Sequence, residues 1–243
     1  MIHFQNYLSA GYFVTKRVDR PAYSAQDILP GKVLSASSCI CPFIPDTWCI
    51  EWTSDSFERR RQAAEVFKLP SAALSQAMEW VTVRFGAEIG WPNVCFELEV
   101  AFELVNRFLP AAEDLVIFGL GLHPQFFEAF RAATEPPPQP EGYVPVGGHG
   151  IFEASLRQKP LAEGGVSFGF EPLVFNASLS CSWLCNGLEV EARDRLGIVP
   201  NVHGFLDTFE AAVKCVGYIS QAKVGAEPGL WLPWLIVDYT RYG

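Results

Sequence analysis

Asp114-Leu115-Val116-Ile117-Phe118-Gly119-Leu120-Gly121-Leu122 is a near-continuous apolar run of strand length. Such a run is expected of a central strand covered on both faces, because a half-solvated strand would alternate apolar with polar residues. Pro124 follows at a helix start, where its missing N–H costs nothing, and Phe126, Phe127, Phe130 and Ala133 continue a short helix. Upstream, Leu98, Ala101, Phe102, Val105 and Phe108 form the inner face of a helix with Glu99, Glu103 and Asn106 outside, and Pro110 stops it. Before that, Ser71 caps a helix with Leu74, Ala77, Met78, Val81 and Phe85 on one face, closed by Gly86 and by Gly90-Trp91-Pro92. An Asp55-Ser56-Phe57-Glu58 capping box opens a further helix running to about Lys68. Nearer the N-terminus, Gly11-Tyr12-Phe13-Val14-Thr15 and Thr47-Trp48-Cys49-Ile50-Glu51-Trp52 read as strands between Pro-marked turns.

The second half repeats the strand and helix order without a residue-level repeat. Residues 166–175 read as strand and 182–196 as a helix with Leu184, Leu188 and Ala192 inward. Residues 207–221 read as a helix with Ala212, Val213, Val216 and Ile219 inward, and 232–239 as a closing strand. The expected class is α+β or mixed α/β, a mixed sheet covered by helices. Glu135-Pro136-Pro137-Pro138-Gln139-Pro140-Glu141-Gly142 is the one low-complexity segment, stiff and extended. One domain over residues 1–243 is the expectation; two similar halves, 1–134 and 143–243, are the alternative.

The chain has 243 residues, 49% of them apolar and only 19% charged, which excludes disorder for most of it and permits a large core. Its net charge of −9 disfavours nucleic acid and anionic membranes, both of which are held by Lys and Arg. The basic triplet Arg59-Arg60-Arg61 sits among Glu58, Glu65 and Lys68 and reads as a solvated helix face. The start, Met1-Ile2-His3-Phe4-Gln5-Asn6-Tyr7-Leu8, lacks a positive region and an apolar run, so export is not expected and the protein is placed in the cytoplasm. No apolar stretch reaches the ~18 residues of a membrane span.

Several groups of residues have side chains that could carry chemistry. Seven cysteines without a secretory signal read as thiols rather than a disulfide framework. Cys39, Cys41 and Cys49, and Cys181 with Cys185, lack the paired spacings of a zinc site, so no metal or cofactor is expected. A cysteine nucleophile, Cys185 or Cys49, would need one of His123, His149 or His203 beside it. Gly119-Leu120-Gly121 lies after a strand and before a helix, but Pro124 replaces the third glycine of a dinucleotide fingerprint. His149, in Gly147-Gly148-His149-Gly150, has no P-loop spacing around it.

The acid is unevenly spread. Glu88, Glu97, Glu99, Glu103, Glu113 and Asp114, against Arg107 alone, place −5 of the −9 between residues 88 and 114. That window reads either as a solubilising helix face or as a surface that steers a basic protein partner. Trp183, Trp231 and Trp234 lie beside turn signals and read either as core or as binding anchors.

One segment prompts a family comparison. Gly169-Phe170-Glu171 to Phe175, then Ser182-Trp183-Leu184-Cys185-Asn186-Gly187-Leu188-Glu189 and Leu196-Gly197-Ile198-Val199-Pro200-Asn201, resembles bacterial proteins encoded beside secreted toxins. The chain resembles an immunity protein of a type VI secretion nuclease effector. The resemblance implies a cytoplasmic, non-enzymatic inhibitor that binds one cognate toxin, plausibly a basic nuclease, and occludes it; no family site transfers to particular residues. The expected contacts are Glu97, Glu99 and Glu103, with Glu189, Glu191 and Asp194 as an alternative face. A Cys/His-dependent hydrolase and a small-ligand binder with a pocket beside the end of the 114–122 strand remain the rival readings.

Overall fold

The computed structural model describes residues 2–20, 26–29, 31–36, 65, 67–90, 94–110, 114–135, 150–176, 179–221 and 225–240. The strand expected over 47–52, the helix from Asp55, Cys39, Cys41, Cys49, His149 and nearly all of the Pro-rich segment lie outside them.

The apolar run at 114–122 forms β6 (Leu115–Leu122) in the middle of a seven-stranded sheet. Its neighbours are β1 (Leu8–Lys16) and β9 (Leu230–Asp238). Beyond β1 lie β5 (Val94–Cys95) and β4 (Ile89–Gly90); beyond β9 lie β7 (Val166–Asn176) and β8 (Leu179–Ser182). The α+β class holds, and every ladder of this sheet is antiparallel. Strands from both sides of the Pro-rich segment share the sheet, with β6 paired directly to β9. A small ribbon, β2 (Val18–Asp19) with β3 (Lys32–Val33), stands apart from it.

Helices cover both faces, which is why β6 can be apolar throughout. One face carries α1 (Ser71–Arg84), α2 (Leu98–Phe108), α5 (Leu188–Leu196) and α6 (Phe209–Gln221), whose buried residues join Tyr12, Ile117, Leu235 and Val237. The other carries α3 (Phe127–Thr134) and α4 (Gly150–Leu156) against Phe13, Phe118, Leu120 and Trp234. The two-residue period of a strand divides Gly119-Leu120-Gly121-Leu122: the leucines go to the second face and the glycines to the first. A β-carbon on Gly121 would stand 2.5 Å from Leu161, and one on Gly119 2.8 Å from Tyr239, so these glycines make room for large neighbours. Their absence of side chains is a packing device, and no phosphate loop is formed there.

The sequence expectations needed local correction. The N-cap of α1 is Pro70, with no side-chain cap, so Ser71 is the first helical residue instead of the cap. Leu104 of α2 is buried, while Phe102 and Val105 pack at the margin. The helix expected over 182–196 is three pieces: β8 ends at Ser182, residues Trp183–Asn186 form a 3-10 turn, and α5 starts at Leu188. Ser182 Oγ accepts from Leu184 N–H at 3.1 Å, and Gly187, at φ 64, interrupts the helical path. In α6, which begins at Phe209, Cys215 takes the inward place expected of Val213, which is exposed. Trp183, Trp231 and Trp234 are core residues, each 3% exposed or less, so none is a surface anchor.

Candidate functional site

β8 pairs with β7 only from Leu173 onward, which leaves the opening residues of β7 free on that side. Residues 201–206 cap them. Phe170 and Leu206 exchange both backbone hydrogen bonds, at 2.7 and 2.9 Å. Asn201 organises the cap: its Oδ1 accepts from His203 N–H at 2.9 Å and Phe205 N–H at 3.2 Å, and its Nδ2 donates to the Phe168 carbonyl at 2.9 Å and to Asp207 Oδ1 at 2.8 Å. A local Asn side chain closing a turn onto its own backbone is a favoured device in tight loops. Gly169, in a bulge at φ +121, lets the cap approach closely, since a β-carbon there would stand 2.5 Å from the Leu206 carbonyl oxygen.

This cap lays the His203 ring on Phe168, centroids 4.3 Å apart and planes 23° from parallel. Arg17, just beyond the end of β1, sets its guanidinium over the Phe168 ring at 5.2 Å, and its Nη2 lies 3.0 Å from His203 Nδ1. Guanidinium only donates, so Nδ1 accepts and the proton of the neutral imidazole sits on Nε2. Two hollows adjoin the stack, and Phe168 and His203 line both. The larger, about 610 Å³, is bounded by Ile2, Phe4, Val166, Val202 and Asp207. The smaller, about 390 Å³, is bounded by Arg17, Lys32, Asp114, Asp238 and Thr240 and lies at the opening end of β6. Glu171, buried in β7, accepts from Ser35 Oγ at 2.6 Å and Ala36 N–H at 2.9 Å, which ties the chain following Lys32 to the sheet.

Burial, followed by the Arg17 charge, pushes the His203 pKa below its usual 6.5, against the opposing pull of Asp238 and Asp207. Burial also lowers His123, whose Nδ1 accepts from Gln125 N–H at the start of the Pro124–Phe126 turn. The unfolded chain therefore takes up protons just below pH 6.5 that the folded chain refuses. The stabilising contribution of the neutral rings is complete above that pH and declines as pH falls through the lowered folded values. The expected result is a thermal midpoint that drops between pH 7 and pH 5, with a shallower drop in His203→Gln, measured by thermal unfolding at matched ionic strength.

The acids expected to meet a partner are placed differently from one another. Glu103 accepts from Trp80 Nε1 at 2.8 Å and from Arg84 at 3.2 Å, and Arg107 lies 3.7 Å away. Glu97 pairs with Lys159, Glu191 with Tyr218 and Arg195, and Asp194 with Arg193. Glu189 is fully buried and cannot serve as a surface contact. Glu99 is exposed, and no ion pair reaches it among the described residues. The window is therefore acidic by count, while α1, α2 and the segment after α4 answer much of it with their own bases.

The cysteines divide by environment. Burial pushes the Cys95 and Cys215 thiols up to about 12, which removes their thiolates at neutral pH. Cys181 lies on β8 and Cys185 in the 3-10 turn, both half-buried, so they do not share a helix face. The rings around His123 are Tyr7, Phe126 and Phe209, and His203 is held by Phe168 and Arg17. Among the described residues, no group of His, Cys, Asp and Glu is arranged to hold a metal ion.

The stack of Arg17, Phe168 and His203 is not legible in the sequence. Asn201 and Gly204 mark a compact loop, but nothing local connects His203 to Arg17, 186 residues away. Comparison with known proteins yields no significant match to a family model, a curated protein or a solved structure. No helix among the described residues is long and apolar enough to cross a membrane.

Proposed function

We propose that this chain is a protein-binding inhibitor, an immunity-type protein that neutralises a cognate secreted toxin by occlusion, as the resemblance of residues 169–201 implies. The supporting observation is the exposed valine rim of the larger hollow. Val166 and Val202 line it at 49% and 76% exposure, and Val199, 53% exposed, lies just before Val202 in the chain. Apolar side chains around a concavity with a few fixed polar groups, here Asn201 and Asp207, have the composition of a binding centre with a polar rim. Exposed acids, Glu99 on α2 and Asp207 and Glu210 near the loop, would speed encounter with a basic partner such as a nuclease.

Co-expression with the product of the adjacent open reading frame, followed by capture of the complex, tests this. The expected result is rescue from a toxic neighbour and loss of capture in Val202→Asp, with Glu99→Lys slowing association and leaving dissociation nearly unchanged. A neighbour that is neither toxic nor bound would overturn the reading.

A further inference from the structure

We propose that the smaller hollow binds a small ligand through an oxyanion group, a carboxylate or a phosphate, held by Arg17 with Lys32 as a second cation. The proposal does not rest on the inhibitor reading, since it uses the hollow lined by Arg17 and Lys32 and not the one rimmed by Val166 and Val202.

Four observations carry it. Arg17 lies over the Phe168 ring and against the His203 nitrogen, and among the described residues no carboxylate pairs with it. Of its five N–H donors, one type of contact is spent on His203, leaving a fork suited to two parallel bonds with a planar oxyanion. Lys32 lines the same hollow and likewise forms no ion pair among the described residues. The wall beside them is apolar, Leu115 and Val116, which strengthens a charge contact relative to open water. The volume, about 390 Å³, falls among the roughly 300–1,000 Å³ of small-molecule sites.

The acids in the hollow set the size of the ligand. Asp238 Oδ1 accepts from Thr240 N–H at 2.9 Å and from its hydroxyl, so it is occupied, and Asp114 stands exposed at the mouth. Together with Asp207 beyond the stack they would repel a polyanion, and they leave room for one discrete anionic group.

The test is a pair of NMR titrations of the full chain at constant ionic strength, one with inorganic phosphate and one with succinate, following the Arg17 Nε–H and His203 ring signals. Saturable shifts at both residues with either anion support the proposal, and the anion that saturates first identifies the chemistry. Arg17→Gln should weaken that binding at least tenfold and Arg17→Lys should restore only part, because an ammonium cannot reproduce the stacked fork. Arg107→Gln, on α2, should leave it unchanged. Should Arg17→Gln fail to fold, Lys32→Gln, at an exposed side chain of β3, should weaken binding severalfold. Absence of saturable shifts with both anions, or shifts equal in wild type and in the Arg17 or Lys32 variant, would overturn it.

Discussion

Trp234→Ala is expected to lower stability by about 3–5 kcal/mol, the range for removing a fully buried large aromatic side chain. Trp234 lies on β9 at 0% exposure, with Phe130 at 5.1 Å and Phe175 at 5.2 Å between ring centroids. It fills the layer between the sheet and α3, so truncation leaves a cavity that the rigid strands on either side cannot close. For a chain of this size such a loss corresponds to a fall of roughly 6–20 °C in the midpoint, read by calorimetry or circular dichroism. Trp234→Phe provides the contrast. The indole N–H is buried without a hydrogen-bond partner among the described residues, so phenylalanine keeps much of the packing and removes that donor. Its cost should be well under half that of alanine; equal losses would show that the tertiary contacts described for Trp234 are wrong.

Gly169→Ala is expected to cost about 2–4 kcal/mol and to dismantle the site more than the fold. Two penalties add: a side chain at φ +121, which L-residues rarely adopt, and a β-carbon 2.5 Å from a backbone oxygen that cannot rotate aside. Relief requires the 201–206 cap to lift from β7, breaking the paired bonds between Phe170 and Leu206 and withdrawing His203 from Phe168. The expected signature is loss of the ring-current shift at His203 and of protection at the Phe170 and Leu206 amides, while amides of β1, β6 and β9 stay protected. Uniform loss across the sheet would contradict it.

Regular segments were legible because their causes are local. The run at 114–122 states its burial on both faces, and the spacing in α2 states its inward stripe. The sheet order was not legible, because pairing β6 with β9 joins residues more than a hundred positions apart. Breaks inside an expected helix were misread where a side chain competed with the backbone: Ser182 captures the Leu184 amide and Gly187 turns left-handed, so a continuous pattern at 182–196 becomes strand, turn and helix. The acids at Glu97 and Glu103 were legible as charges. Their partners Lys159, Arg84 and Trp80 come from other elements, and that pairing, absent from any local window, changes what the charges can do. The glycines of 119–121 show the same limit: their spacing was visible, while Tyr239 and Leu161, the reason for it, were not.

The place of β9 imposes an order on assembly. In the sheet it stands between β6 and β7, but in the chain it follows both. Until residues 230–238 are in place, the strands of the sheet fall into two groups, β4-β5-β1-β6 and β7-β8, that nothing else in the strand order joins. Each exposes a strand edge of unpaired amides and carbonyls, the kind of surface that recruits other chains. Residues 230–238 cover both of those inner edges at once, so a single segment turns two adhesive fragments into one continuous sheet.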